Sequence, residues 1–157
     1  GVTGTLEIRG ESRALAVGGG EGGRPPARVS GEWCETGDVV SVGDDGRMRF
    51  LGRSDDRIKV RGRFVHPADV ERRMLLVEGV AECMVTAEVD ERGLPVLVAR
   101  IVVADGALAE GVTAGAWKLC RARFEAHEIP GRVEVVAELP RSARGKLLRP
   151  RAAAGRR

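Results

Sequence analysis

The sequence has few aromatic residues, 3% in all, and no tyrosine. Proteins that hold single-stranded nucleic acid stack the bases on such rings, so nucleic acid is not an expected partner. Lysine is equally scarce: of 26 basic residues only Lys59, Lys118 and Lys146 are lysine, and the other 23 are arginine. Cys34, Cys83 and Cys120 are odd in number, far apart and without a CxxC pair, so neither a disulfide framework nor a zinc site is favoured. Cys83 and Cys120 read as small core residues. His66 and His127 have no companions at ligand spacing, so both read as structural and no metal-binding residue is expected. No apolar run approaches the roughly 20 residues that cross a bilayer. The opening Gly1-Val2-Thr3-Gly4 is not a signal-peptide start. The expectation is therefore a cytoplasmic protein with no membrane partner.

Acid is missing from the C-terminal end. After Glu138 the charges are Arg141, Arg144, Lys146, Arg149, Arg151, Arg156 and Arg157, all basic. The whole chain carries +3, so these seven positives leave the preceding residues at −4. A basic end of this kind can meet nucleic acid, a membrane or a phosphorylated ligand, and the scarcity of aromatics weighs against the first. With 157 residues, 43% of them hydrophobic, the chain can bury a real core.

Residues 4–9 alternate as a strand does. The following Gly18–Pro26 stretch, rich in glycine, lacks the lysine and hydroxyl residue of a phosphate loop and reads as a flexible surface loop. Val39–Val42 and Met48–Leu51 flank Gly43-Asp44-Asp45-Gly46, which predicts a β-hairpin with Gly46 at the positive-φ position. Ile58 and Val60 alternate with Lys59 and Arg61, Gly62 breaks that short strand, and Pro67 suits the first turn of a helix. Val70, Met74 and Val77 give that helix its apolar stripe, ending near Gly79. Val80–Val89 and Leu94–Val103 read as strands joined by a turn, the second buried on both faces. Thr113 is placed to cap a helix with Trp117, Cys120 and Phe124 in its core stripe, stopping before Pro130. Val133–Val136 is a further strand. The order helix, strand, strand, helix, strand predicts an α+β unit, a small sheet with helices on one face.

Three blocks stand in order: Trp33-Cys34-Glu35-Thr36-Gly37-Asp38, then Gly52-Arg53-Ser54-Asp55-Asp56-Arg57-Ile58-Lys59-Val60-Arg61-Gly62 leading into His66-Pro67 and Asp69-Val70-Glu71, and Leu139-Pro140-Arg141-Ser142-Ala143-Arg144-Gly145-Lys146. Together they resemble the adenylate-forming (AMP-binding) superfamily of acyl- and aryl-CoA ligases, peptide-synthetase adenylation domains and luciferases. Phe64 before Val65 and the Gly31-Glu32-Trp33 and Gly52–Asp56 strings are most similar to benzoate-type CoA ligases. The resemblance implies a β-rich end of the large N-terminal domain over 1–52. It implies a mobile C-terminal lid over 53–157, with a three-stranded sheet, a hairpin and packed helices.

By the same resemblance, Lys146 is the catalytic lysine of adenylation, Asp38 and Arg53 hold the ATP ribose, and Asp55 is the hinge. Lys59, Arg61 and Gly62 line the entry for the pantetheine arm of CoA or a carrier protein. Two of the three lysines thus fall inside the blocks. ATP with Mg, and CoA, are the implied cofactors, with Mg held by no residue of this chain. The family's phosphate loop and acyl pocket would lie before Gly1, so the chain alone is expected to be inactive and to work with a large adenylation domain. One departure is Pro150 and the alanine-rich tail, which stand where the family often has a longer terminal helix. The alternative is a truncated, non-catalytic module that docks a partner or carrier protein.

Overall fold

The computed structural model describes residues 2–10, 29–30, 33–145 and 147–149. The glycine-rich stretch Gly18–Pro26, Lys146, and the tail from Pro150 lie outside the described residues. The chain divides into two compact units, Gly1–Asp56 and Arg57–Arg157. No helix among the described residues is long and apolar enough to cross a membrane.

The first unit is a sheet built on one long strand. β1 (Val2–Arg9) runs antiparallel along β3 (Trp33–Val42), which also pairs with β2 (Val29–Ser30) and with β4 (Met48–Arg53). The turn at Gly43–Gly46 joins β3 to β4 as the predicted hairpin. Register places Val2, Val42 and Met48 side by side, and Gly4, Val40 and Phe50 beside them. Cross-strand partners share a face, so this face is apolar. Val2, Met48 and Phe50 are nevertheless exposed in this unit.

The second unit is the α+β arrangement. β5 (Ile58–Val60) and β6 (Arg63–Val65) form a tight hairpin, α1 (Pro67–Met74) follows, and β7 (Val80–Val89), β8 (Pro95–Val103) and β9 (Arg132–Val135) make a three-stranded sheet. β7 and β8 are antiparallel, and β9 joins β8 in parallel after the crossover through α2 (Ala109–Arg123). Pro67 opens α1 as expected, with no amide hydrogen lost from the helix ladder.

Val70 and Met74 on α1, Val112, Ala116 and Cys120 on α2, and Cys83, Val85, Leu97, Ala99 and Ile101 on the sheet form the core. Ile58, Val60 and Val65 bring the small hairpin into that same core. The opposite face of the sheet is also covered at its centre, where Met84 and Val98 are fully buried. The core expectation for Cys83 and Cys120 is met.

Two expectations about α2 are corrected. Thr113 is not its cap: the helix begins four residues earlier, and the Thr113 hydroxyl donates to the Ala109 carbonyl at 2.8 Å. The earlier start follows from Val112, whose buried side chain extends the stripe by one turn. The stripe runs 112, 116, 120 in steps of four and ends on Phe124, which leaves Trp117 half-buried at its side. Arg73 then joins α1 to the end of α2, with its guanidinium 4.2 Å from the Phe124 ring centre and 2.8 Å from Glu128.

Candidate functional site

Asp38, Arg53 and Asp55 come together where the end of β4 lies beside the middle of β3. Asp38 and Arg53 are register partners across the two strands, and Arg53 Nη1 donates to Asp38 Oδ1 at 2.7 Å. The same guanidinium donates through Nε to Asp55 Oδ1 at 3.1 Å. Thr36 orients the aspartate: its hydroxyl donates to the Leu6 carbonyl at 2.9 Å and accepts from the Asp38 amide at 3.0 Å. Gly37 between them sits at φ 75°, and a Cβ there would lie 2.3 Å from Arg53 Nη2. Glycine suits the left-handed backbone here, and a side chain in its place would displace the guanidinium. All three charged side chains are partly open to solvent, so a ligand can reach them.

A carboxylate presents two acceptor oxygens and can bind vicinal hydroxyls, while the adjacent guanidinium supplies fixed donors for hydroxyl or phosphate oxygens. The solvent-open carboxylate edges of this cluster can accept hydrogen bonds from hydroxyl groups.

Lys59, Arg61 and Gly62 lie on the β5–β6 hairpin. Arg61 and Gly62 have φ 49° and 81°, the two successive positive values of a type I′ turn. Lys59 pairs with Phe64 on the exposed side of the hairpin, where the Arg57 guanidinium stands 4.6 Å from the phenyl centre. Ile58 and Val65 point to the other side, into the core. The hairpin therefore offers a cationic outer face on a rigidly packed base.

Lys146 itself lies outside the described residues, but its neighbours are placed. Arg141 and Leu147 form an antiparallel bridge, the Leu148 amide donates to the Pro140 carbonyl at 2.8 Å, and Gly145 N–H closes on Ser142 at 2.8 Å. Arg141 Nη1 donates to the Gly145 carbonyl at 2.9 Å, and Nη2 donates to Glu82 on β7 at 2.6 Å. Farther on, Arg149 pairs with Glu71 of α1. Glu71 is buried, and its other oxygen accepts the Val85 amide at 2.7 Å. None of Glu71, Glu82, Arg141 or Arg149 stood out as a site residue from the sequence. Their pairings span 59 and 78 residues, and no local pattern signals them.

His66, at the N-cap of α1, has a buried Nδ1 that meets no hydrogen-bond partner among the described residues. Burial, reinforced by the nearby Arg57 charge and opposed by Asp69, holds its pKa below the ordinary value. Burial pushes the Cys83 thiol up to about 12 and the Cys120 thiol up to about 11, so both stay protonated core groups.

Residues 69–146 match the family model described as the AMP-binding enzyme C-terminal domain. A p-hydroxybenzoic acid–AMP ligase of Mycobacterium tuberculosis is 36% identical over 151 residues, covering 95% of this chain and 21% of that protein. The benzoate–CoA ligase of Thauera aromatica is 34% identical over 157 residues, covering 95% of this chain and 28% of its own length. The crystal structure of the anthranilate CoA ligase AuaEII in complex with anthranoyl-AMP superposes with a TM-score of 0.76 at 30% identity, over 94% of this chain and 28% of that one. The chain spans between a tenth and three-tenths of the length of the first curated relatives it matches. Residues 69–146 thus belong to the AMP-binding enzyme C-terminal domain family.

Proposed function

We propose that this chain is the C-terminal region of an ATP-dependent acid–thiol ligase, which forms an acyl-adenylate and then a thioester, with an aryl acid and CoA as the favoured substrates. The observation that carries this reading is the Asp38–Arg53–Asp55 cluster, which sits immediately before the division between the two units. Asp38 and Arg53 hold the ATP ribose. Asp55, one ion pair away, is the hinge about which residues 53–157 turn as a lid relative to the β-rich end of a large domain in 1–52.

In adenylation a carboxylate attacks the α-phosphate, two negative groups meet, and a fixed cation offsets their repulsion in the transition state. Lys146 supplies that cation as a compact ammonium. After the turn of the lid, the face bearing Lys59, Arg61 and Gly62 lines the path of the pantetheine thiol, and the hairpin's positive charge receives the phosphates of CoA. Mg enters with ATP. The exposed apolar face of Val2, Met48 and Phe50 fits burial against the rest of a large adenylation domain, where ATP and acid bind.

The test is acid-dependent exchange of pyrophosphate into ATP by the full-length enzyme that carries this chain. Exchange with benzoate or a hydroxybenzoate is the expected result. A protein that binds a partner but exchanges no pyrophosphate with any carboxylic acid would instead be a docking module.

A further inference from the structure

The last described segment, Arg141–Arg149, is held to the body of the second unit by two Arg–Glu pairs, one on each side of position 146. Before it, Arg141 is a two-armed link: one arm reaches Glu82 on β7, and the other takes the carbonyl of Gly145, which belongs to the peptide bond leading into residue 146. After it, Arg149 reaches Glu71 of α1. These two links differ in weight. The Glu82 and Arg141 side chains are 38% and 43% exposed, and pairs so open to water contribute little by attraction alone. The Glu71 side chain is only 9% exposed and also accepts the Val85 amide, so its pairing with Arg149 is far less screened by water. The Arg149 link therefore anchors the segment, and the Arg141 link sets the shape of the turn.

We infer that Glu71, Glu82, Arg141 and Arg149 are positioning residues for adenylation: they fix the backbone on both sides of position 146 against the α1–β7 body, so that the lid delivers this position as a rigid part. The inference rests on the reading of Lys146 given above. A flexible four-carbon side chain reaches the α-phosphate productively only if its own backbone is held, because misplacement by about 1 Å costs on the order of a hundredfold in rate.

Two substitutions separate the links without removing any of the four chain positions. Glu71→Gln keeps an oxygen for the Val85 amide and loses the charge that holds Arg149, while Glu82→Gln relaxes Arg141 at the surface. In the 157-residue chain, amide hydrogen exchange is read at Gly145 and Leu148, with β7–β8 amides as the control for global unfolding. Glu71→Gln should speed exchange at Gly145 and Leu148 by about tenfold or more while the sheet stays protected, and Glu82→Gln should speed it to a smaller extent. In the full-length enzyme, the same substitutions should slow acyl-adenylate formation in a single turnover, leave the KM for ATP unchanged, and spare thioester formation from supplied adenylate.

Unchanged exchange at both amides in both variants overturns the clamp whatever Lys146 does. Faster exchange with full adenylation, in an enzyme that Lys146→Ala inactivates, overturns the positioning role alone. If Lys146→Ala also adenylates at the parental rate, the reading on which the inference stands has failed, and the inference falls with it.

Discussion

Arg53 lies across the place where a side chain on residue 37 would be, and it pairs with Asp38 from that position at 2.7 Å. Gly37 is thus the seat of the guanidinium. Gly37→Ala should destabilise the first unit by about 1–2 kcal/mol from the left-handed backbone alone. It should also push Arg53 off Asp38, raising the KM for ATP in the full-length enzyme. Urea unfolding and ATP titration check the two parts. An alanine variant with parental stability and parental KM would show that the seat is not needed.

The core of the second unit is small, and Met74 is at its centre, fully buried with its sulfur 3.6 Å from Cys120 Sγ. Met74→Ala leaves a cavity between α1, α2 and β7, and the expected loss is about 2–5 kcal/mol. Chemical denaturation followed by far-UV circular dichroism measures it. A loss within experimental error would place Met74 outside the packed core.

Burial of Cys83 and Cys120 predicts slow alkylation. With thiols pushed up to about 12 and about 11, the thiolate fraction at pH 8 is about one in a thousand or less. Iodoacetamide at pH 8 should therefore modify both far more slowly in the native chain than in denaturant, as mass spectrometry of the digested protein reads directly. Equal rates in the two states would contradict the burial.

His66 gives a pH dependence whose sign is fixed. Its folded-state pKa lies below the ordinary 6.5, so as pH falls through 6.5 the unfolded chain takes up a proton that the folded chain declines. Stability should then fall from pH 7 toward pH 5, since protons favour the state that binds more of them. His66→Gln should flatten this part of the profile, as shown by urea midpoints at half-unit steps. Glu88 acts lower: its hydrogen bond from Arg100 lowers its carboxyl pKa, so that its contribution persists above the ordinary carboxylate range and is lost on further acidification. A His66→Gln profile that falls as steeply as the parent's between pH 7 and pH 5 would assign the dependence elsewhere.

The parts legible in the sequence are those written in local patterns. Alternation at Ile58–Val60 and the glycine at 62 specify the hairpin, and Pro67 with Val70 and Met74 specifies α1. The start of α2 was not legible from Thr113, because a hydroxyl residue within a helix can bond back to the carbonyl four residues earlier as readily as it can cap. Trp117 stands three residues before Cys120, a spacing that fits the same stripe, but the buried stripe runs through Val112, Ala116 and Cys120 in steps of four and leaves Trp117 at its side. Glu71 beside Val70 reads as a solvated charge, and only the arrival of Arg149 and the Val85 amide explains its burial. Asp38, Arg53 and Asp55 were each legible from the motifs; that one guanidinium joins all three depends on the β3–β4 register and the space at Gly37.

The central claim is that Lys146 stabilises charge at the α-phosphate during adenylation and has left that site when the thioester forms. Single-turnover assays of the two half-reactions in the full-length enzyme, parental and Lys146→Ala, test it most directly. Adenylation should slow by about 10² to 10³, the loss of roughly 2.7 to 4 kcal/mol that follows removal of one preorganised electrostatic donor. Thioester formation from supplied acyl-adenylate should stay close to the parental rate. Adenylation by Lys146→Ala at the parental rate would contradict the account and leave Lys146 a surface charge.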